Sequence, residues 1–264
     1  MARRGNKGMK YIIGAGTNVG ISKDTNQDSV VCRIAQTDKG QIALAVLCDG
    51  MGGLEKGELA SANVVSAYSE WFENILPTMI TDDFKPSDVY SSWNNLIQYQ
   101  NDILFQYGKN NYTQLGTTLI AVLIYGDKYY AVNVGDSRMY SISSSSVEQV
   151  TIDQSLVARE VKQGRLTEEE AEHDPRRNVL LQCIGATTKV VPDYYEGTLR
   201  SGEALMLCCD GFRHEITKMD MFNELRPDGY VDKEQIQERI ERLIQLNIQR
   251  HEKDNITALV IKAV

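Results

Sequence analysis

Twice in this chain an apolar run stops on Asp-Gly. In "QIALAVLCDGMGG" residues 42–48 lead into Asp49 and then into three glycines within four positions; in "ALMLCCDGF" residues 204–209 lead into Asp210. A short apolar run bounded by glycine reads as a strand buried on both faces. An acid at its tip is mounted on the core, and the glycines let the backbone come close to something small. "YAVNVGDSR" is related, with Asp136 just past an apolar strand. The complementary arrangement also occurs, since Asp28 in "TNQDSVVCRI" and Asp254 in "HEKDNITALVI" stand in front of strands.

In an antiparallel sheet the end of one strand lies beside the start of its neighbour. Asp28, Asp49, Asp210 and Asp254 can therefore meet at a single rim. Left alone, such carboxylates repel one another and raise their own pKa values. A divalent cation removes the difficulty, and an oxygen donor set without His or Cys suits Mg²⁺ or Mn²⁺. Asp-Gly is equally an ordinary turn, so a metal centre and a set of unrelated turns both stay open at this level.

The remaining pattern decides the fold class. Short β-like runs ("KYIIGAG", "DSVVCRIA", "QIALAVLC") precede helical spacing over 57–76 and 88–107. Gly126-Asp127 between two alternating apolar runs predicts a hairpin, and a third strand follows it. Two short helices are expected in "SLVAREVKQG" and "TEEEAEHDP", the second with a Thr167–Glu170 capping box and an end at Pro175. "ALMLCC", a helix over 233–250 and a final strand "ITALVIKAV" complete the reading. Strands interrupted by a helix pair, without strict β-α alternation, favour an α+β fold with antiparallel sheets.

The 264 residues are 42% hydrophobic, which suits one large domain or two small ones, and no repeat or linker-like segment divides them. A net charge of −8 argues against a general nucleic-acid binder. No run approaches the roughly 18 apolar residues of a membrane span, and the basic start "MARRGNKGMK" leads into a segment too short and glycine-broken for a signal peptide. Five cysteines without a C-x-x-C read as free thiols of a reducing cytosol, and three scattered histidines give a zinc site no support.

With the motifs "TNQDS", "LCDGMGG", "LGTTL", "VGDSRMY", "CCDGF" and "DNIT" in this order, the chain resembles the PPM (protein phosphatase 2C-like) family of metal-dependent serine/threonine protein phosphatases, in its bacterial type. The resemblance runs from about residue 13 to residue 261. It implies one phosphatase domain over 1–264, built as a four-layer αββα sandwich of two antiparallel sheets flanked by helices, with a flap segment at about 151–185. It implies hydrolysis of phosphoserine and phosphothreonine by a water activated at a binuclear centre of Mn²⁺ or Mg²⁺. By that match Asp49 bridges the ions, the Gly50 carbonyl ligates one, Asp210 and Asp254 hold the other, Asp28 acts largely through water, and Asp136 belongs to a third, weaker site. Expected partners are phosphoproteins, among them a serine/threonine kinase and its targets; a cytoplasmic monomer is expected, without nucleic acid or membrane. The alternative is a catalytically silent phosphatase-like regulator that binds phosphoproteins.

Three positions depart from the family pattern. Lys23 stands where an arginine usually grips the substrate phosphate, keeping the charge but losing the bidentate fork. Gln27 replaces a frequent Glu, and Met51 follows Asp49-Gly50 where many eukaryotic members carry a His. Ser137 reads as a turn or packing hydroxyl, His173 as a surface residue, and Arg176 and Arg177 as solvated.

Overall fold

The computed structural model describes residues 8–38, 40–52 and 56–264. Gly53 of the glycine cluster and residues 1–7 of the basic start lie outside them. In chain order the strands are β1 (Tyr11–Asn18), β2 (Asp28–Thr37), β3 (Gly40–Gly52), β4 (Leu115–Thr117), β5 (Leu119–Tyr125), β6 (Lys128–Val134), β7 (Arg138–Ile142), β8 (Val147–Gln149), β9 (Asp193–Thr198), β10 (Ala204–Cys208) and β11 (Ile256–Ala263). The helices are α1 (Gly57–Asn74), α2 (Leu76–Met79), α3 (Pro86–Asn110), α4 (Leu156–Lys162), α5 (Glu168–His173), α6 (Asp210–Arg213), α7 (Lys218–Leu225) and α8 (Lys233–Gln249).

Two antiparallel sheets result. One has the order β2-β3-β5-β6-β9, with β4 added at the end of β3; the other runs β1-β11-β10-β7-β8. The continuous apolar run of β3 has a simple cause, because both faces of its sheet are covered. Ile42, Leu44 and Val46 join a cluster with Val64, Tyr68 and Trp71 of α1 and Trp93 and Ile97 of α3. The alternate residues Ala43, Ala45 and Leu47 join the second sheet's Leu205, Leu207 and Leu259. Outside that second sheet lies α8, seated so close to β1 that a Cβ on Gly14 would come within 2.6 Å of Ile236. The layers are therefore αββα.

The expected hairpin is present, with Tyr125 paired to Lys128 across Gly126-Asp127 and Gly126 at φ +66. The capping box of α5 forms as read, Thr167 and Glu170 each serving the other's backbone N–H. Elsewhere the boundaries move. The helical reading over 57–76 ends at Asn74 because Pro77 in the first turn of α2 starts a new helix. Pro86 opens α3, which outruns the 88–107 reading at both ends. The strand β8 and the helices α6 and α7 were not anticipated, although Thr217 and Asp220 form a capping box at the start of α7. No helix among the described residues is long and apolar enough to cross a membrane.

Candidate metal centre

The acids meet where the two sheets end. Asp28 and Asp49 stand directly opposite each other in the β2–β3 ladder. Asp210 opens α6 two residues after β10, and Asp254 lies two residues before β11, the neighbour of β10 in the other sheet. The glycine beside each tip is needed because main chains touch there. A Cβ on Gly211 would stand 2.2 Å from the Asn255 carbonyl oxygen, and one on Gly50 would stand 2.2 Å from that of Gly57. The threonines of "LGTTL" hold Asp49 in place. Its N–H donates to Thr118 Oγ1 at 2.9 Å, and its carbonyl accepts from the Thr118 N–H at 2.9 Å and the Thr117 hydroxyl at 3.0 Å. The buried Ser137 hydroxyl bonds Thr118 Oγ1 at 2.7 Å, a packing role.

The electrostatics of this group are unsettled without a cation. Both carboxylate oxygens of Asp28 are buried and find no hydrogen bond of good geometry, although the Thr257 hydroxyl and the Cys209 thiol lie near enough to favour the charged form. Burial, joined by the charges of Asp210 and Asp254, pushes the Asp28 carboxyl up to about 7. Burial and then Asp28, Asp210, Asp136 and Asp254 push Asp49 well above the usual carboxylate range. Donor atoms of Asp28, Asp49 and Cys209 lie within 4.8 Å of one another. The Cys209 thiol is engaged with the main chain, accepting from the Thr257 N–H at 3.1 Å and donating to the Asn255 carbonyl at 3.4 Å. Converging hard oxygens with orphaned lone pairs fit a divalent ion such as Mg²⁺ or Mn²⁺.

On the open side, Lys23 Nζ stands 3.0 Å from Asp254 Oδ1, with its side chain 42% exposed. Loop 19–27, which carries Lys23, is tied down by Asn255. That amide donates to the Val19 and Thr25 carbonyls and accepts from the Gln27 N–H. Gln27 also serves the rim through its carbonyl, which accepts from the Gly50 N–H at 3.1 Å and from the Ser61 hydroxyl at 2.6 Å. Its side chain lies against Gly57, where an added Cβ would come within 2.7 Å.

Asp136 is buried beside this group but has a different neighbourhood. Arg213 Nη2 is 3.7 Å from Asp136 Oδ2 and donates to the Asp136 carbonyl at 3.3 Å and to Asp153 Oδ2 at 3.4 Å. Arg138 grips Asp153 with two bonds of 2.8 Å. His214 sits between Asp210 Oδ2 at 3.6 Å and Glu252 Oε2 at 3.4 Å. Glu252 in turn accepts from the Asp254 N–H at 2.9 Å. Burial opposes its charge, yet His214 and the backbone N–H donors prevail and hold Glu252 below its ordinary pKa. Sequence reasoning missed Asn255, Arg213, Asp153, His214 and Glu252. The only signal was charge packed after an Asp-Gly, in "DGFRHE".

The 151–185 segment is closed at its base by the bridges Ser155↔Leu180 and Thr117↔Ile184. Within it His173 and Arg176 are exposed and make local contacts only, to the Glu169 carbonyl and to Asp174. Arg177 is exposed as well.

Comparison with known proteins supplies the remaining context. The family model described as "Protein phosphatase 2C" matches residues 15–259. Protein phosphatase PhpP of Streptococcus pneumoniae is 30% identical over 247 residues, covering 93% of this chain and 94% of its own. The crystal structure of serine/threonine phosphatase Stp1 from Staphylococcus aureus superposes with a TM-score of 0.82 at 30% identity, covering 99% of this chain and 98% of that one. The catalytic domain of the serine/threonine protein phosphatase PstP, solved in complex with two manganese ions, gives 0.77 at 26% identity, covering 97% and 99%.

Proposed function

This chain belongs to the protein phosphatase 2C family and is a protein serine/threonine phosphatase, and we propose that the rim acids are its catalytic centre. In this reading Asp49 and the Gly50 carbonyl, together with Asp28, Asp210 and Asp254, hold two divalent ions, Mn²⁺ or Mg²⁺. Such a pair lowers the pKa of water and neutralises charge on a phosphoryl group. The observation that carries the reading is the buried Asp28 carboxylate, directly opposite Asp49 in the ladder, whose oxygens find no hydrogen bond of good geometry.

The chain's own groups divide the remaining work. The rigid sheet ends fix the carboxylates, and Thr117 and Thr118 fix the Asp49 main chain. Lys23, at the open edge, offers positive charge to the phosphate of a phosphoserine or phosphothreonine side chain. A lysine provides a point charge there without the bidentate fork. No side-chain nucleophile is assigned, so a phosphoenzyme is not expected. We read 1–264 as one phosphatase domain with its flap at 151–185. A monomeric cytoplasmic enzyme opposing a serine/threonine kinase is the cellular reading, and the five unpaired thiols suit a reducing compartment.

The test is hydrolysis of a phosphothreonine peptide with Mn²⁺, with chelator, and by Asp210→Asn with Mn²⁺. Turnover that needs the ion and collapses in the variant supports the assignment. Ion-independent turnover would sink it, and no turnover by wild type with either ion would leave a silent phosphoprotein-binding regulator.

A further inference from the structure

Asp136 is 6% exposed, and its surroundings differ in kind from those of the rim acids. Acidic groups facing it are Asp210, Asp153 and Asp49; Arg213 and the imidazole of His214 face it as well. Arg213 lies between Asp136 and Asp153, and Arg138 closes the far side of Asp153. Two guanidinium groups thus meet two carboxylates in one quartet, although burial and then Asp210 still push the Asp136 carboxyl up to about 7, Arg213 and His214 offsetting only part of it. Three further facts make Arg213 a permanent member of the quartet. Guanidinium does not lose its proton in a protein. The Arg213 side chain is only 12% exposed. Its Cα belongs to the same helical turn as Asp210, three residues on, which ties it to the rim.

We infer that Arg213 holds the place a third cation would need, so that this chain takes two divalent ions and none at Asp136. The inference rests on the two-ion reading of the rim. A divalent ion at Asp136 would have to displace a buried guanidinium, sever its contacts with Asp136 and Asp153, and stand beside its charge. Arg213 Nε is already buried without a partner, so losing the bonds of Nη2 would leave the guanidinium with more unmet donors. In a chain with a small neutral residue at 213, the Asp136 and Asp210 carboxylates would be left facing each other, and an ion could join them.

The experiment is a count of bound Mn²⁺ on chelator-stripped protein, by calorimetric titration and by the electron-paramagnetic-resonance signal of free Mn²⁺. Wild type should saturate at two ions and Asp136→Asn should also take two. Arg213→Ala should gain a third ion bound at least about tenfold more tightly than any third ion on wild type. Adding Asp136→Asn to Arg213→Ala should remove it. Should Arg213→Ala fail to melt cooperatively, Arg213→Gln keeps the size without the charge and replaces it. Three ions on wild type, one of them lost in Asp136→Asn, would overturn the inference while leaving the two-ion reading intact. A folded Arg213 variant that still stops at two would also overturn it. Fewer than two ions on wild type refutes the two-ion reading, and the inference falls with it.

Discussion

Two carboxylate groups lie at the same end of this sandwich and have been solved by different means. Asp28, Asp49, Asp210 and Asp254 face one another with a single half-exposed lysine at their edge. Asp136 and Asp153 are interleaved with Arg138 and Arg213. The first group has orphaned oxygens and no arginine within it; the second has guanidinium groups beside it, yet burial and Asp210 still push the Asp136 carboxyl up to about 7. The contrast separates acids with no guanidinium in contact from acids that share one.

The contrast can be broken most directly by charge-neutral substitution. Asp49→Asn, assayed on a phosphothreonine peptide with saturating Mn²⁺, should lower kcat by on the order of 10³-fold or more, since it weakens stabilisation of the developing charge. Normal turnover would remove Asp49 from the centre. Asp153→Ala leaves the half-buried Arg138 and the more enclosed Arg213 without the carboxylate between them. It should cost about 3–5 kcal/mol, a fall in Tm on the order of 10 °C. A change of less than a degree would mean that the quartet is not a structural unit.

A milder effect is expected at the edge. Lys23→Gln should raise KM for the phosphopeptide by roughly tenfold while changing kcat little, a loss near 1.4 kcal/mol. Unchanged KM would assign phosphate binding elsewhere. The smallest effect concerns pH. An acid whose folded pKa is raised contributes stability below its unfolded pKa and loses it as pH rises through the folded one. With the Asp28 carboxyl at about 7, metal-free wild type should lose stability as pH rises from about 4 towards 7. Asp28→Asn should flatten that slope and raise the metal-free Tm at pH 8 by a few degrees. A steeper slope in the variant would contradict the unpaired state of Asp28.

Much of this was legible in sequence because it depends on period and punctuation. The apolar runs of β3, β10 and β11, and acids at their tips, put the rim in view before any coordinates. Boundaries were less legible where a proline both stops and starts a helix, as at Pro77 and Pro86. The second charge group was invisible for a different reason. Arg138, Asp153 and Arg213 come from a strand, a loop and a helix, and nothing in their local sequence says that they meet. Glu252 and Asn255 are similar, polar residues whose buried role appears only once β11 is set beside loop 19–27.

Asn255 carries one more consequence. A single amide secures loop 19–27 at both ends, through Val19, Thr25 and Gln27, and it does so from the residue next to Asp254. The loop is therefore a latch with one principal bolt, seconded by the Lys23–Asp254 pair and by the bonds to the Gln27 carbonyl. Were that bolt drawn, amide hydrogens along 19–27 would exchange with solvent as one cooperative unit, and trypsin would find Lys23 before any other part of the sandwich opened. Motion of Lys23 and order at Asp254 would become readings of the same event.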